Sequence, residues 1–316
     1  INQIINSNAD STDILFFSCE DERLQLDISE MDLVVQAYTE LYPEKERSKT
    51  YWFFDEIQNI EGWERFIRRV YDTITRNVFV SGSNSKLLGT EIATAMRGRT
   101  LSIEVFPLTF TEYLRFKKIP DNYTGTQKRA KIVNAQKNYF SEGGFPEIAL
   151  TNDKFRISML QNYYRLMLYN DLIERYKVQN IVALKYLINR VLVSIGKPYP
   201  VNRIYNELKS KGVKVSKNTL YEYLEHIQAV YMAFQLSKYD ASFIKQENTE
   251  KKMFFIDTGL MYALFPVPAE NKGMVLENVI FLFLRQKYGS FLMNNLFYYK
   301  DKTECDFVVF DRNQPT

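Results

Sequence analysis

Two adjacent carboxylates, Asp55 and Glu56, end the apolar run Tyr51, Trp52, Phe53, Phe54. Residues of this kind favour strands. A run without alternation predicts a strand buried on both faces, as in a parallel sheet under helices. An Asp at the end of such a strand suits Mg²⁺, a hard cation that takes oxygen ligands. A Glu beside it would orient and polarise a water for attack on the γ-phosphate of ATP. That chemistry needs mainly positioning and charge neutralisation, so few residues suffice. Acids also end strands as helix caps or solvated turn residues, so the neighbouring elements must decide between the two readings.

After the doublet, Trp63, Phe66, Ile67, Val70 and Ile74 recur at the spacing of one helix face. VFVS, residues 78–81, then reads as a second strand, closed by Gly82, Ser83, Asn84 and Ser85. Strand, helix, strand implies a right-handed crossover and a parallel sheet. Ligands of such sheets bind beyond the carboxyl ends of the strands, so Asp55, Glu56, Ser83 and Asn84 are expected along one edge. Four hydrophobic residues followed by Asp-Glu look like a Walker B motif. Ser83 or Asn84 would then be the sensor that reaches the γ-phosphate or the attacking water.

YWFFDEIQNIEGWERFIRRVYD, VFVSGSNSKLL, RGRTLSIEVFPLTFTEYL and GGFPE at 143–147 occur in this order. Together they resemble the predicted AAA-type ATPases of archaea and bacteria that carry a C-terminal region of uncharacterised function. The resemblance implies an α/β fold: a P-loop NTPase-type parallel sheet with a helical lid, then a winged helix, then a small α/β domain similar to PD-(D/E)xK nucleases. It places Asp55 and Glu56 at the Walker B acids and Ser83 at the sensor. In RGRT it marks Arg99 as an arginine finger or phosphate sensor, with Arg97 a weaker candidate. A planar, permanently charged guanidinium suits that role, and a surface salt bridge is the plainer use of either arginine. Enzymes of this type commonly assemble so that an Arg reaches a neighbour's nucleotide, which makes self-association an expected partner relation.

One departure stands out. The phosphate-cradling loop GxxxxGK[ST] is absent from the sequence, and with it the backbone nest and the Lys that hold the phosphates. INQIINSN at the start has Ile1, Ile4 and Ile5 at helix spacing and resembles the tail of the helix that follows such a loop. ILFFS, residues 14–18, is then the next strand. The expectation is a loop just upstream of Ile1; a degenerate ATPase that has lost it is the alternative.

The bulk numbers are those of an ordinary globular chain. Of 316 residues, 46% are hydrophobic and 25% charged, with a net charge of +3, so nucleic-acid binding needs a local basic patch. Cys19 and Cys305 lie far apart and His226 is the single histidine. This excludes a disulfide framework, a CxxC zinc site and a two-histidine metal site, and fits a reducing, cytoplasmic setting. No run of about 18 apolar residues reads as a membrane span.

Expected boundaries are 1–119 for the ATPase core, 120–195 for the helical lid, 196–257 for the winged helix and 258–316 for the nuclease-like part. Residues 120–130 read as a loop. Asp171 and Glu174 read as a solvated helix face, and His226 as a packed or surface helix residue. PVNRIYNELKSKG and VKVSKNTLYEYLEHI read as two helices, stopped by Gly212 and capped by Ser216. Residues 230–239 and 251–257 follow as a hairpin, which gives the winged-helix plan. Arg203, Lys209, Lys211, Lys214 and Lys217 gather there and are candidates for double-stranded DNA, opposed by Glu222 and Glu225; packing or protein contact is the other use of such a unit. Further on, the resemblance matches Glu277 on a helix and Asp306 before an apolar strand to acids of the nuclease-like fold. They are candidate Mg²⁺ ligands, or structural acids of a fold that only binds. Two functions from different classes therefore stand open: an Mg²⁺-dependent ATPase that moves a DNA- or protein-binding module, and a DNA-binding or nuclease-like protein whose ATPase fold is regulatory or idle.

Overall fold

A computed structural model describes the chain apart from residues 8, 22, 25, 84–95, 123, 266–271, 289–294, 312, 313 and 316. The chain divides into two compact units, Ile1–Ser102 and Ile103–Thr316.

In the first unit β1 (Ile14–Ser18), β2 (Tyr51–Asp55) and β3 (Asn77–Val80) run parallel in the order β1-β2-β3. Helix α1 (Asn2–Asn6) buries none of its residues, while α2 (Met31–Leu41) and α3 (Trp63–Thr73) are the two crossovers. Successive right-handed crossovers that step in one direction lie on one face of a sheet. There Met31, Val34 and Tyr38 of α2 and Phe66, Ile67 and Val70 of α3 pack with Leu15, Trp52 and Phe54. Trp52 and Phe54 are buried, each worth roughly 1.5–3 kcal/mol in removed apolar surface. The expectation of a strand buried on both faces is corrected. Tyr51, Phe53 and Asp55 are only half-buried. Phe16, Phe53 and Phe79 share one register row, in which Phe16 is 57% and Phe79 46% exposed. Both crossovers cover the same face, so among the described residues burial alternates along β2 although hydrophobicity does not.

The second unit opens with α4 (Phe110–Phe116), whose Thr109 and Glu112 form a reciprocal cap. Then come α5 (Thr126–Glu142), α6 (Pro146–Leu150) and α7 (Asp153–Leu166), which runs on as a π-helix over Met167–Glu174. Helix α5 corrects the expected loop at 120–130. Its first turn, Thr126–Ala130, is exposed on every side, and an exposed turn of good helix formers carries no apolar period to read. Asp171 lies on the π-helix, paired with Arg175 at 3.2 Å. Helices α8 (Ile181–Val193), α9 (Val201–Ser210) and α10 (Lys217–Ala229) follow, then β4 (Ala233–Leu236), α11 (Phe243–Asn248) and β5 (Lys252–Phe255). As expected, Ser216 caps α10 by accepting from the Thr219 N–H at 3.0 Å. Strands β4 and β5 pair antiparallel, as the expected hairpin requires, and α11 lies in the connection between them. His226 is packed, its ring stacked on Tyr176 at 3.9 Å.

The chain closes with α12 (Thr258–Leu264), α13 (Lys272–Tyr288), the antiparallel pair β6 (Leu296–Lys300) and β7 (Glu304–Asp311), and β8 (Gln314–Pro315). One hydrophobic cluster runs from Ile148 to Val309, so the segments expected as lid, winged helix and nuclease-like part share a core. Asn278 of α13 stitches that core to β5. Its amide accepts from the Phe255 N–H at 2.7 Å and donates to the Phe255 carbonyl at 2.9 Å, which satisfies backbone groups that are buried. Among the described residues no helix is long and apolar enough to cross a membrane.

The GGFPE turn packs against the Asp257-Thr258-Gly259 turn. Asp257 is buried; its Oδ2 accepts from the Gly144 N–H at 2.6 Å and its Oδ1 from the Leu260 N–H at 2.9 Å. Gly143 adopts φ +79°, and a Cβ there would overlap the Asp257 carboxylate; one on Gly259 would overlap the carbonyl of Glu142. Gly143 is thus required by its positive φ and the carboxylate beside it, and Gly259 by the close approach of the Glu142 backbone.

Candidate active site

Asp55 is the last residue of β2 and lies in register with Ser18 at the end of β1. Its carbonyl accepts from the Cys19 N–H at 2.9 Å. Beyond β3 the chain stays in step: the Ser81 N–H donates to the Phe54 carbonyl at 3.0 Å, and the Ser81 hydroxyl donates to Asp55 Oδ1. Asp55 is thereby bracketed by the carboxyl ends of both neighbouring strands. Glu56 sits in the left-handed region, φ 50° and ψ 40°, which swings its side chain out of the strand direction. Gln58 Nε2 donates to Glu56 Oε2, and the Ser83 hydroxyl donates to the same oxygen at 3.2 Å. A carboxylate oxygen can accept both bonds. Gln58 Oε1 is buried and has no donor among the described residues.

The two acids act together on Cys19. Burial, and after it the charges of Asp55 and Glu56, push the Cys19 thiol up to about 11, so it is an unreactive neutral group at physiological pH. Beside it a cavity of about 360 Å³ opens at the end of β1, lined by Ser18, Cys19, Glu20, Asp21, Asn59 and Ile60 among others.

Of the predicted partners, Ser83 reaches Glu56, and Asn84 lies outside the described residues. The hydroxyl at Asp55 belongs to Ser81 instead. The register decides this: Phe54 pairs with Val80, so the next row is Asp55 with Ser81. Gln58 was also missed, because a Gln two residues past an acid has no pattern of its own. Arg97, at φ 51°, and Gly98, at 76°, are two successive positive-φ residues that make a turn just before Arg99. The turn sends Arg99 back to α3, where its Nη1 meets Asp72 Oδ1 at 3.0 Å. That pair is more than a third exposed, so it holds Arg99 only weakly.

In the second unit Arg203 and Arg190 both pair with Glu207, at 3.1 and 3.2 Å. Lys211 lies over the Tyr186 ring and Lys217 over the Tyr205 ring, at 4.7 and 5.5 Å. Lys209 and Lys214 are exposed. Glu277 on α13 and Asp306 on β7 do converge, but on a third residue. Lys252 of β5 places its Nζ 3.4 Å from Glu277 Oε1, 3.1 Å from Asp306 Oδ1 and 3.0 Å from Glu304 Oε1. Among the described residues no group of three or more His, Cys, Asp or Glu side chains is arranged to hold a metal ion. The sequence does carry a signal for Lys252: a lysine at the start of a strand as apolar as KMFF requires buried partners of opposite charge.

Over 99% of its length this chain is 35% identical to the uncharacterized protein MJ1544 of Methanocaldococcus jannaschii, of which it covers 69%. The chain belongs to the MJ1544 family. An uncharacterized protein of Haemophilus influenzae is 27% identical over 87% of the chain and 67% of that protein. The uncharacterized protein MJ1637 of Methanocaldococcus jannaschii is 23% identical over 90% of the chain and 60% of that protein. Within this member of the MJ1544 family, residues 1–114 match the family described as AAA domain, and residues 133–271 the domain of unknown function DUF8612. Among solved structures, the Walker-type ATPase PABY2304 of Pyrococcus abyssi is similar over 77% of this chain and 69% of that one, at a TM-score of 0.43 and 14% identity. By the family model it matches, the first part of the chain is an AAA-type domain. The Asp55–Glu56 edge belongs to it.

Proposed function

We propose that the chain is an Mg²⁺-dependent ATPase of the AAA type whose nucleotide state acts on a DNA-binding C-terminal unit. The observation that carries this reading is the environment of the acidic doublet: Asp55 bracketed by Cys19 and Ser81 from the two flanking strands, and Glu56 turned out and held by Gln58 and Ser83. Asp55 and the Ser81 hydroxyl offer hard oxygen donors that fit Mg²⁺; bound there, the ion would neutralise phosphate charge. Glu56 would orient the attacking water, with Gln58 fixing its carboxylate and Ser83 reporting the γ-phosphate. Arg99, once free of Asp72, and Arg97 beside it would reach a phosphate, in this copy or in a neighbouring one. A nucleotide titration on the natural full-length protein tests the metal role. ATP binding is expected to tighten with Mg²⁺, and Asp55→Ala to remove most of that gain. Equal affinity with and without the ion in both proteins would refute it.

The DNA-binding part rests on the order of elements in the second unit. Helices α8, α9 and α10 are followed by β4 and β5, and Pro198 between α8 and α9 bridges Lys252 in antiparallel fashion. This order, with α11 between the two strands, supports a winged-helix reading in which α10 would be the recognition helix. Lys209, Lys214 and Lys217 are exposed around its start, and Lys211 and Arg203 complete the basic patch. Reversing charge at Lys214 and Lys217 is expected to weaken binding to duplex DNA irrespective of sequence and to lower the salt slope by about 1 per lysine. Unchanged isotherms across a salt series would clear this face of the role.

A further inference from the structure

The carboxylates Glu277, Glu304 and Asp306 come from α13 and β7 and meet around the Lys252 ammonium of β5. The Lys252 side chain is 1% exposed, whereas Asp306 is 59% exposed, so the cation sits at the floor of an acidic recess whose rim is open. An ammonium has three donors, and here each has a carboxylate oxygen. The face of the Tyr298 ring lies 5.0 Å from Nζ, a further favourable contact for a cation. Lys300 meets the outer oxygen of Glu304 at 2.9 Å. Burial alone would lower the Lys252 pKa, yet the surrounding carboxylates leave it raised, while Glu277 is raised by its own burial. Mg²⁺ requires oxygens at about 2.0–2.1 Å in near-octahedral order. The three carboxylates converge instead at hydrogen-bond distance on nitrogen.

We propose that Lys252 is the resident cation of this recess, taking the place of a divalent metal. Its ammonium ties β5 to α13 and β7, and Glu277 and Asp306 serve as its counter-ions. With Lys252 in that place, the recess supports no metal-dependent phosphodiester cleavage. The inference does not rest on the ATPase reading, and its test is kept separate by working without nucleotide in an Asp55→Ala background. Free Mn²⁺ measured by electron paramagnetic resonance is expected to show no tight site that Asp306→Asn removes, and Mn²⁺ is expected to leave the thermal midpoint unchanged. Lys252→Met is expected to lower the midpoint and to make it respond to Mn²⁺. Adding Glu277→Gln should abolish the response. Mn²⁺ uptake with Lys252 in place, lost on Asp306→Asn, would overturn the proposal, and so would a folded Lys252→Met protein indifferent to Mn²⁺. If Lys252→Met does not fold, the Asp306→Asn comparison decides alone.

Discussion

Glu56→Gln is expected to leave ATP bound and to slow its hydrolysis by about 10²–10⁴-fold, the usual weight of a positioned general base. The substitution keeps the length of the side chain and one acceptor oxygen, so Gln58 and Ser83 retain a partner. What it removes is the negative charge that would polarise the water. The backbone should tolerate it, since the left-handed φ of 50° strains Gln no more than Glu. A single-turnover assay on the natural full-length protein, with ATP affinity measured beside it, separates the outcomes. Loss of hydrolysis with affinity kept is the expected signature. Turnover at the parent rate would remove Glu56 from the chemistry, and loss of affinity would make it a binding residue instead.

Asp257→Ala is expected to cost on the order of 3 kcal/mol, because it leaves the buried N–H groups of Gly144 and Leu260 without acceptors at about 1–3 kcal/mol each. For a unit of this size that is a fall of about 2–4 °C in thermal midpoint per kcal/mol. The same carboxyl carries a pH signature. Burial pushes it up from 3.8 to about 6, against the pull of N–H donors from Gly144, Leu260 and Gly259. The folded state thus binds the proton more tightly than the unfolded chain. The stability this group contributes is fully present below about pH 4, declines as pH rises towards about 6, and is flat above. Asp257→Asn cannot ionise, and its amide nitrogen faces one of the N–H donors. It should be the less stable protein throughout and should lack that slope. Urea midpoints of both proteins across this range check the sign. Parallel curves would show that Asp257 does not titrate there.

Much of this was legible in the residue order. The strand of YWFFD, the helix from Trp63, the Ser216 cap and the helix carrying Glu277 all follow from propensity, period and capping chemistry within a dozen residues. The edge that gathers Asp55 and Glu56 followed from one further rule, the handedness of crossovers. Where the reading failed, the local signal was missing or incomplete. The first turn of α5 is polar on all sides, and β2 is apolar on a face that no described helix covers.

The sequence by itself determined which segments become strands and helices and that an acidic doublet ends a strand, because those choices are made by neighbours along the chain. Only the tertiary structure decided what each charged group meets. Ser81 reaches Asp55 across 26 residues, Arg99 reaches Asp72 across 27, and Lys252 finds Asp306 across 54. Such pairings depend on how the elements stack, and hydrophobic periodicity carries no record of which carboxylate a buried lysine will face.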